Sequence, residues 1–443
     1  MQVRYLLTVI VVLAVSCGRN IAPSHPDDLK AMGAAEYSDF ATWCEQAIME
    51  QPVILSEFSP RYLKAEQDYA MTIGIAITPG GRIWNCVVGG GDNSKAYFVL
   101  NWSDDGGATW TDNKFVVDPH DDSFPLRRRT LVGNLWTDPR GRLWLFFDQG
   151  LSYFDGRLSN WCSVCENPDA EQPEWSKPRY IGFGCSLQRP TVMSTGEWVL
   201  PVSLWTREYI DSNAESKNWQ WGAFHDAYHE LDAVRGPHAF VSKDEGKTWK
   251  DTGFISGVPS PRFDEHIFIE LADGRWWATI RTGSGETVTD GMVEWGDQGI
   301  WQSFSEDKGV HWSEPTFYQS HVSSRHIIMP LTSGRLLLVR HDEIGTETLS
   351  RRRLTAYVSA NTLEGWDGKS WIGGLLLDSR SSISYPCAVQ DEWGHIYISY
   401  DYARASAGEI YMARVTEADI VARKVSSSGG FTSKLIYKAG KLK

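Results

Sequence analysis

Three residues of types that transfer protons, act as nucleophiles or bind anions occupy the same position in separate repeats of the sequence. Glu265, Arg325 and Tyr385 each precede a turn glycine by nine residues. A carboxylate can take the proton from a tyrosine hydroxyl and activate it as a nucleophile, and an arginine can hold an anion through charge-assisted hydrogen bonds. The equivalent positions in the other repeats are Thr72, Val132 and Leu187. Because a core position would be mostly apolar, the ionisable three are interpreted as site residues.

The repeat that positions these residues consists of an apolar stretch, a polar turn containing glycine and a second apolar stretch. It occurs six times, and short apolar runs on both sides of such a turn predict a β-hairpin. The turn glycines are Gly81, Gly141, Gly196, Gly274, Gly334 and Gly394, at spacings of 60, 55, 78, 60 and 60 residues. Six units of this length, each able to form four strands, predict an all-β fold, a six-bladed β-propeller.

A second repeat, S-x-D-x-G-x-[T/H]-W, interleaves with the hairpins. Three copies cover residues 103–110, 242–249 and 305–312, and GKSW at 368–371 is a decayed copy. The pattern is that of the Asp-box, a hairpin turn in which the aspartate carboxylate accepts backbone N–H groups while the tryptophan packs beneath. We assign it a stabilising role on the rim of a blade and no catalytic role.

The first residues of the chain predict export. Arg4 precedes an apolar run at 5–15 that is too short to span a bilayer, which indicates a secretion signal. Residues 14–17, AVSC, resemble the bacterial lipobox, in which Cys17 would be lipidated; the alternative is an ordinary signal peptide with an incidental cysteine. The predicted organisation, for a lipoprotein of the bacterial outer membrane or periplasm, is a signal peptide at 1–17, a tether at 18–37, a closing segment at 38–67 and the propeller at 68–443.

The composition argues against several classes of partner. The net charge is −13 without a long run of Lys or Arg, which argues against nucleic acid and against an anionic membrane surface. The 21 Trp, 17 Tyr and 17 Phe suit sheet packing and also stacking on sugar rings. Cys162 and Cys165 have metal-ligand spacing, but no second such pair accompanies them, so a local disulfide or free thiols are favoured over zinc. No cofactor is predicted.

Four stretches of the chain resemble the sialidase (neuraminidase) superfamily, close to bacterial exo-α-sialidases, across about residues 68–420. EHIFIELADGRWWATIR resembles the segment that supplies a glutamate and an arginine, here Glu265 and Arg281. RRRLTAYVS resembles a segment with a further substrate-binding arginine, Arg351, an assignment open by one step within the arginine run. SYPCAV resembles the segment with the nucleophilic tyrosine, Tyr385, and GGGDNSKAYFVLNWSDDGG contains Asp92 at the distance expected for the general acid.

This resemblance implies a retaining glycosidase. Tyr385 would attack the anomeric carbon, Glu265 would accept its proton, and Asp92 would protonate the leaving oxygen. The carboxylate that sialic acid carries on that carbon would repel a carboxylate nucleophile, whereas a tyrosine is neutral until it attacks. Arginines would hold the substrate carboxylate. The implied partner is a glycan with a terminal acidic sugar, and the membrane is reached only through the lipid anchor.

The chain departs from the family on blade one, where sialidases carry the first of three arginines in an Arg-Ile-Pro motif. Met71 or Thr72 stands at that place. We expect an arginine of blade five to compensate, because the nine-residue comparison points it at the axis. The expected anion clamp is Arg281, Arg325 and Arg351. His326, next to Arg325, is interpreted as facing the substrate.

Plainer interpretations stay open for individual residues: Tyr385 as a packed strand residue, Asp92 as a solvated loop carboxylate and Arg325 as a surface ion-pair former. The missing arginine also leaves two other functions open. One is a lyase acting on uronic-acid glycans, in which Tyr, Arg and His neutralise a carboxylate and abstract a proton. The other is a non-catalytic surface propeller that binds glycans.

Overall fold

A computed structural model describes residues 46–120, 127–151, 156–207, 210, 229–259, 265–282, 287–289, 292–294, 299–342 and 351–442. The predicted signal peptide, Cys17 and the tether lie outside these residues and stay predictions. Within the described part of the chain, no helix is both long and apolar enough to cross a membrane.

The chain folds as a six-bladed β-propeller, which confirms the prediction. Each hairpin repeat extends into an antiparallel sheet. Blade 1 contains β1 (Met71–Ile77), β2 (Ile83–Gly89), β3 (Tyr97–Ser103) and β4 (Phe115–Val117). Blade 2 contains β5 (Arg128–Arg129), β6 (Gly133–Thr137), β7 (Leu143–Leu151), β8 (Ser159–Cys165) and β9 (Arg179–Phe183), with β5 and β6 both paired to β7. Blade 3 contains β10 (Thr191–Val192), β11 (Trp198–Leu204), β12 (Gly236–Ser242) and β13 (Lys250–Phe254).

The second half of the ring repeats this arrangement. Blade 4 contains β14 (Ile267–Glu270), β15 (Trp276–Arg281), β18 (Ile300–Ser305) and β19 (Thr316–Gln319), and the small hairpin of β16 (Thr287–Thr289) and β17 (Met292–Glu294) lies between β15 and β18 in the chain. Blade 5 contains β20 (Ile327–Pro330), β21 (Leu336–His341), β22 (Leu354–Ser359) and β23 (Trp371–Asp378). Blade 6 contains β24 (Ile383–Gln390), β25 (Ile396–Tyr402), β26 (Glu409–Val415) and β27 (Phe431–Lys438). Short helical elements are residues 46–49, Pro60–Tyr62, Lys64–Glu66, His229–Val234 and Glu417–Ala422.

The six turn glycines are structurally equivalent. All have φ between 82° and 89°, the left-handed region that favours glycine, and each donates its N–H to the carbonyl three residues earlier. This geometry closes a tight hairpin between the first and second strand of every blade. The inner strands β1, β6, β10, β14, β20 and β24 therefore run in the same sense, so that residues at equivalent distances from the glycine lie at one end of the axis.

The second repeat forms matching turns between the third and fourth strands. In the first copy, Asp105 Oδ1 accepts from Thr109 N and Ser103 Oγ accepts from Gly107 N, each at 2.8 Å. The copies that begin at Ser242 and Ser305 make the same two contacts. These outer turns lie far along each sheet from the inner strands, so they stabilise the blades without reaching the axis.

The segment before β1 joins the two ends of the ring. Leu55 pairs with Val116 of β4 through two backbone hydrogen bonds, and the carbonyl of Lys64 accepts from Gly440 N at 2.9 Å. All four strands of blade 6 come from the C-terminal part of the chain, so no strand is shared between first and last blades. Packing of β24 against β1, together with the 55–67 segment, therefore closes the propeller.

Candidate active site

The three ionisable positions of the nine-residue comparison lie at the end of the axis where the inner strands begin. Tyr385 is the third residue of β24, and Glu265 and Arg325 each stand two residues before an inner strand. All three are buried, with 9%, 0% and 1% of their surface exposed, respectively. The sequence comparison therefore identified positions that are equivalent in space, although their side chains make different contacts.

The backbone at Tyr385 is unusual. Its φ is 52°, and the pairing of β24 with β25 shifts register between Ser384 and Cys387. A left-handed conformation costs a residue with a side chain on the order of 1–3 kcal/mol, and such strain persists where the surrounding structure imposes it. Bulges of this kind re-aim side chains, often beside active sites. The bulge presents the Tyr385 ring to a group of arginines.

Arg281 links Glu265 to the Tyr385 hydroxyl. Arg281 Nη1 donates to Glu265 Oε1 and lies 3.4 Å from Tyr385 Oη. Burial alone would raise the pKa of Glu265, but the charge and hydrogen bond of Arg281, with smaller contributions from Arg325 and Tyr385, hold that pKa below its usual value. Glu265 is therefore an ionised carboxylate that shares the Arg281 guanidinium with the hydroxyl of Tyr385, a placement from which a carboxylate can act as general base toward that hydroxyl.

Arg281 and Arg351, two of the three arginines of the expected anion clamp, lie close together. The Nη2 atoms of both donate to the carbonyl of Ser323 at 2.9 Å, and both guanidinium groups lie within 6 Å of the Tyr385 ring centroid, at 5.9 and 5.6 Å. In the described part of the chain, Arg351 has no carboxylate partner. Burial, with the cations of Arg281 and Arg404, lowers the pKa of Arg351. Two convergent cations, one without a counter-ion, form a binding site for an anion.

A third cation, Arg404, completes this group. Its guanidinium carbon lies 4.0 Å from the Tyr385 ring centroid, nearer than either other arginine. Its Nε donates to Asp401 at 3.0 Å, and its Nη2 donates to Ser384 Oγ at 3.0 Å. Burial opposes the charge of Arg404, but Asp401 and the neighbouring Tyr69, Tyr385 and Asp92 raise its pKa well above the usual value. Sequence analysis did not identify this residue.

A side chain of blade six contacts Thr72, which stands where the family resemblance leads us to expect an arginine. Thr72 is fully buried, and its N–H donates to Asp401 Oδ2 at 3.3 Å. The other oxygen of Asp401 accepts from Arg404 and from Ser384 Oγ. Asp401 therefore connects the blade-one position to Arg404, so a cation is present near this position although its residue comes from another blade.

A sequence signal for Arg404 did exist. Because β24 and β25 are antiparallel, the end of β25 lies beside the start of β24, and Asp401 pairs with Ser384. An aspartate and an arginine three residues apart at the end of β25 should therefore lie at the same end of the axis as Tyr385. Arg404 follows the turn glycine Gly394 by ten residues, so a comparison of positions nine residues before each turn glycine does not include it.

Asp92, the expected general acid, lies at the edge of the group. Its side chain is 39% exposed, and Oδ2 is 3.4 Å from Arg404 Nη1. The loop that carries it, at 90–96, connects β2 to β3, and Lys95 N donates to Asn93 Oδ1 at 2.8 Å to form a local turn. The structure thus brings the expected acid, nucleophile and base to one end of the axis.

Arg325 and His326 lie elsewhere than expected. Arg325 donates to the carbonyls of Ile73 and Leu187 at 3.0 and 2.8 Å, and to the Gln188 side chain. These bonds tie blade five to blades one and three, so its guanidinium is engaged by the chain itself rather than presented beside Arg281. The expected compensation by Arg325 does not match these contacts, because carbonyl groups that point at the axis bind its donors.

His326 is fully buried, and its Nε2 lies 2.9 Å from Thr279 Oγ1. Burial lowers the pKa of His326 to about 3, with Glu265 opposing the shift and Arg281 and Arg325 adding to it. The imidazole is therefore neutral and enclosed, which does not match the expected contact with substrate.

Of the two alternatives favoured for Cys162 and Cys165, a local disulfide or free thiols, the structure shows free thiols. Cys162 and Cys165 are buried free thiols, and burial raises their pKa values to about 12 and about 11. Within the described residues, no group of three or more His, Cys, Asp or Glu side chains could hold a metal ion.

Comparison with known proteins identifies the repeat. Residues 82–398 match the family model described as BNR repeat-like domain. No curated protein matches the chain by sequence.

Solved structures share the fold. The Hadza microbial sialidase Hz136 has 18% identity and a TM-score of 0.54, with 76% of this chain and 64% of that chain covered. The leech intramolecular trans-sialidase, complexed with 2,7-anhydro-Neu5Ac, has 11% identity and a TM-score of 0.53 over 81% and 70%. The NanB sialidase of Streptococcus pneumoniae has 12% identity and a TM-score of 0.52 over 79% and 67%. At these identities the likeness concerns the fold alone, and this chain spans 64% of the length of the first.

Proposed function

The chain belongs to the BNR repeat-like domain family, and on that premise we propose that it is an exo-acting glycoside hydrolase of the sialidase type. It would remove a terminal acidic sugar, sialic acid or a similar one, from a glycan with retention of configuration. The observation that carries this proposal is the buried group in which three guanidinium groups lie within 6 Å of the Tyr385 ring and Arg281 contacts both Glu265 and the Tyr385 hydroxyl.

The proposed nucleophile is Tyr385. Its oxygen forms a bond to the anomeric carbon while the proton passes to Glu265, and the bond from that carbon to the leaving oxygen breaks. The surrounding cations favour the negative charge that develops on the phenol oxygen. A neutral phenol also approaches a carbon that bears a carboxylate without the repulsion that an aspartate or glutamate would meet.

Asp92 is the proposed acid. It gives a proton to the leaving oxygen in the first step; in the second it takes one from the water that attacks the anomeric carbon, and Tyr385 recovers its proton from Glu265. The contact of Asp92 with Arg404 supports a role as acid that depends on binding of the sugar carboxylate. A substrate carboxylate that reaches Arg404 competes with Asp92 for the same guanidinium, and so would release Asp92 toward the leaving group.

The arginines are proposed to bind the sugar carboxylate. Arg351 offers donors with no carboxylate partner among the described residues, and Arg281 shares its carbonyl acceptor. Arg404 would provide the third cation in place of the absent blade-one arginine. Each charge-assisted hydrogen bond of this kind contributes about 1.5–3 kcal/mol, so a carboxylate-bearing sugar gains far more here than a neutral one.

The test is turnover of a sialylated fluorogenic glycoside by the purified protein. We expect release of free sialic acid, first as the α-anomer, and a loss on the order of 10³-fold or more in kcat for Tyr385→Phe. Tyr402→Phe is the matched control, because Tyr402 is a strand residue of the same blade whose ring packs against Arg380 and Tyr411 instead.

Two outcomes would contradict the proposal. Equal activity of wild type and Tyr385→Phe would remove Tyr385 from the mechanism. Absence of hydrolysis by wild type on every acidic glycoside tried, with sialic and uronic acids at the terminal position, would exclude the hydrolase function.

A further inference from the structure

The opposite end of the propeller axis contains a cavity of about 670 Å³. All six blades contribute residues of their inner strands to its wall, among them Ile77, Trp136, Thr191, Ile267, Met329 and Val389. Its size is that of sites that hold small organic molecules. Tyr385 is the third residue of β24 and Gln390 is its last, so Gln390 in the cavity wall lies roughly 15 Å from Tyr385 by strand rise.

One side chain in this mostly apolar wall is an arginine without an anionic partner. Arg189 Nη2 lies 2.7 Å from Met329 Sδ, and a thioether is a weak acceptor. No carboxylate lies within salt-bridge distance of Arg189 among the residues that the structure describes. Burial lowers the pKa of Arg189, Cys387 opposes the shift, and the nearby Arg325 cation adds to it.

The other charged residue of the wall does not compensate this cation. Asp138 accepts from Arg142 Nε at 2.6 Å and from Trp144 Nε1 at 2.9 Å, so its charge is already paired. The neighbouring cation Arg325 bonds only to carbonyl oxygens and an amide. This stretch of the axis therefore has an excess of positive charge in low-dielectric surroundings.

A largely buried cation without a counter-ion is costly, and a side chain of similar volume such as methionine would fill the space more stably. An anion that enters the cavity would offset that cost through bidentate contact with the guanidinium. We propose that this cavity is a second ligand site, which binds a small organic acid: one carboxylate held by Arg189 and an apolar body against Ile267, Met329 and Val389. The proposal is independent of the hydrolase function.

Isothermal titration calorimetry with hexanoate tests this site directly. We expect wild type to bind hexanoate at least tenfold more tightly than its neutral analogue hexanamide, and at least tenfold more tightly than Arg189→Met does. Arg335→Met is the matched control, because it removes a cation from the same end of the propeller outside the cavity wall, and it should bind as wild type does.

Two further measurements separate binding from folding. Arg189→Met should unfold at the same temperature as wild type or higher, because the buried charge is gone. Val192→Trp keeps Arg189 but adds bulk to the cavity rim at a position that is 40% exposed, and it should lose hexanoate binding while it stays folded.

The proposal is overturned if wild type does not bind hexanoate at millimolar concentration, or if Arg189→Met or Val192→Trp binds it as tightly as wild type. Sulfate that binds as tightly as hexanoate would also overturn it, because the site would then select charge without an organic body.

Discussion

The arginines at the two ends of the propeller axis differ in their contact partners. Where the inner strands begin, Arg281 and Arg404 each contact a carboxylate, and a tyrosine lies among them. In the cavity toward the other end, the guanidinium of Arg189, a residue that stands two positions before β10, meets only a thioether, and the lining is largely apolar. The same inner strands run to both ends, so this difference in contact partners comes from the segments that connect the strands. Segments between blades vary in length and supply charged residues toward both ends, as Arg189 between β9 and β10 shows, whereas the hairpins at the cavity end are tight glycine turns.

The largest expected effect is a difference in kcat between substitutions at the two ends of β14. Glu265→Gln, just before β14, should reduce kcat on a sialylated reporter by roughly 10²- to 10⁴-fold with little change in KM, because the amide cannot accept the proton of Tyr385. Glu270→Gln, at the other end of β14, should stay within about twofold of wild type. Steady-state kinetics of both variants make the measurement. If the two substitutions had equal effects, the site would not belong to the Tyr385 end.

A smaller effect is expected from the cation that sequence analysis missed. Arg404→Met should raise KM by about 10- to 100-fold, the equivalent of one lost charge-assisted contact to a carboxylate. Arg380→Met is the control, because Arg380 also pairs with an aspartate and stacks on two tyrosines of blade 6, at 4.1 and 4.2 Å, outside the group around Tyr385. A KM that is the same in both variants would mean that Arg404 only stabilises the fold.

The smallest effect concerns stability on the axis between the two ends. Burial lowers the pKa of His326 to about 3, against an ordinary value of 6.5. The His326 imidazole therefore becomes protonated near pH 6.5 in the unfolded chain, but only near pH 3 in the folded protein. The neutral ring contributes fully to the free energy of unfolding above pH 6.5. This contribution is lost as the pH falls from 6.5 toward 3, and about 2 kcal/mol of it is lost at pH 5.

Urea unfolding at pH 7 and pH 5 measures this contribution. His326→Gln should lose about 2 kcal/mol less free energy of unfolding than wild type between these two pH values. Parallel losses in both proteins would show that His326 does not titrate as its burial requires.

Much of the fold was predictable because its determinants are local. Each turn glycine must reach a left-handed φ within a few residues of its own strands, and the apolar runs beside it pair with each other whatever the rest of the chain does. For the same reason the nine-residue comparison placed Glu265 and Tyr385 at one end of the axis. Arg281 and Arg351 came from resemblance to a family, and their shared acceptor, Ser323, was not foreseen.

Two expected site residues lie away from the group around Tyr385 for one physical reason. Arg325 and His326 occupy positions that point at the axis, but whether such a side chain meets substrate or the carbonyls of another blade depends on contacts as distant as Arg325 to Ile73. The sequence position of an arginine does not by itself determine which oxygen accepts hydrogen bonds from its guanidinium group.

By itself, the sequence determined the number of blades, their hairpin turns and the end of the axis at which the ionisable residues collect, because these follow from short-range periodicity and backbone conformation. Only the tertiary structure decided which cations meet Tyr385. Arg404 joins Asp92 across 312 residues of chain, and Asp401 joins Thr72 across 329. Such pairs form when the ring closes and burial favours charged groups that meet a partner; Arg189, like Arg351, contacts no carboxylate among the described residues.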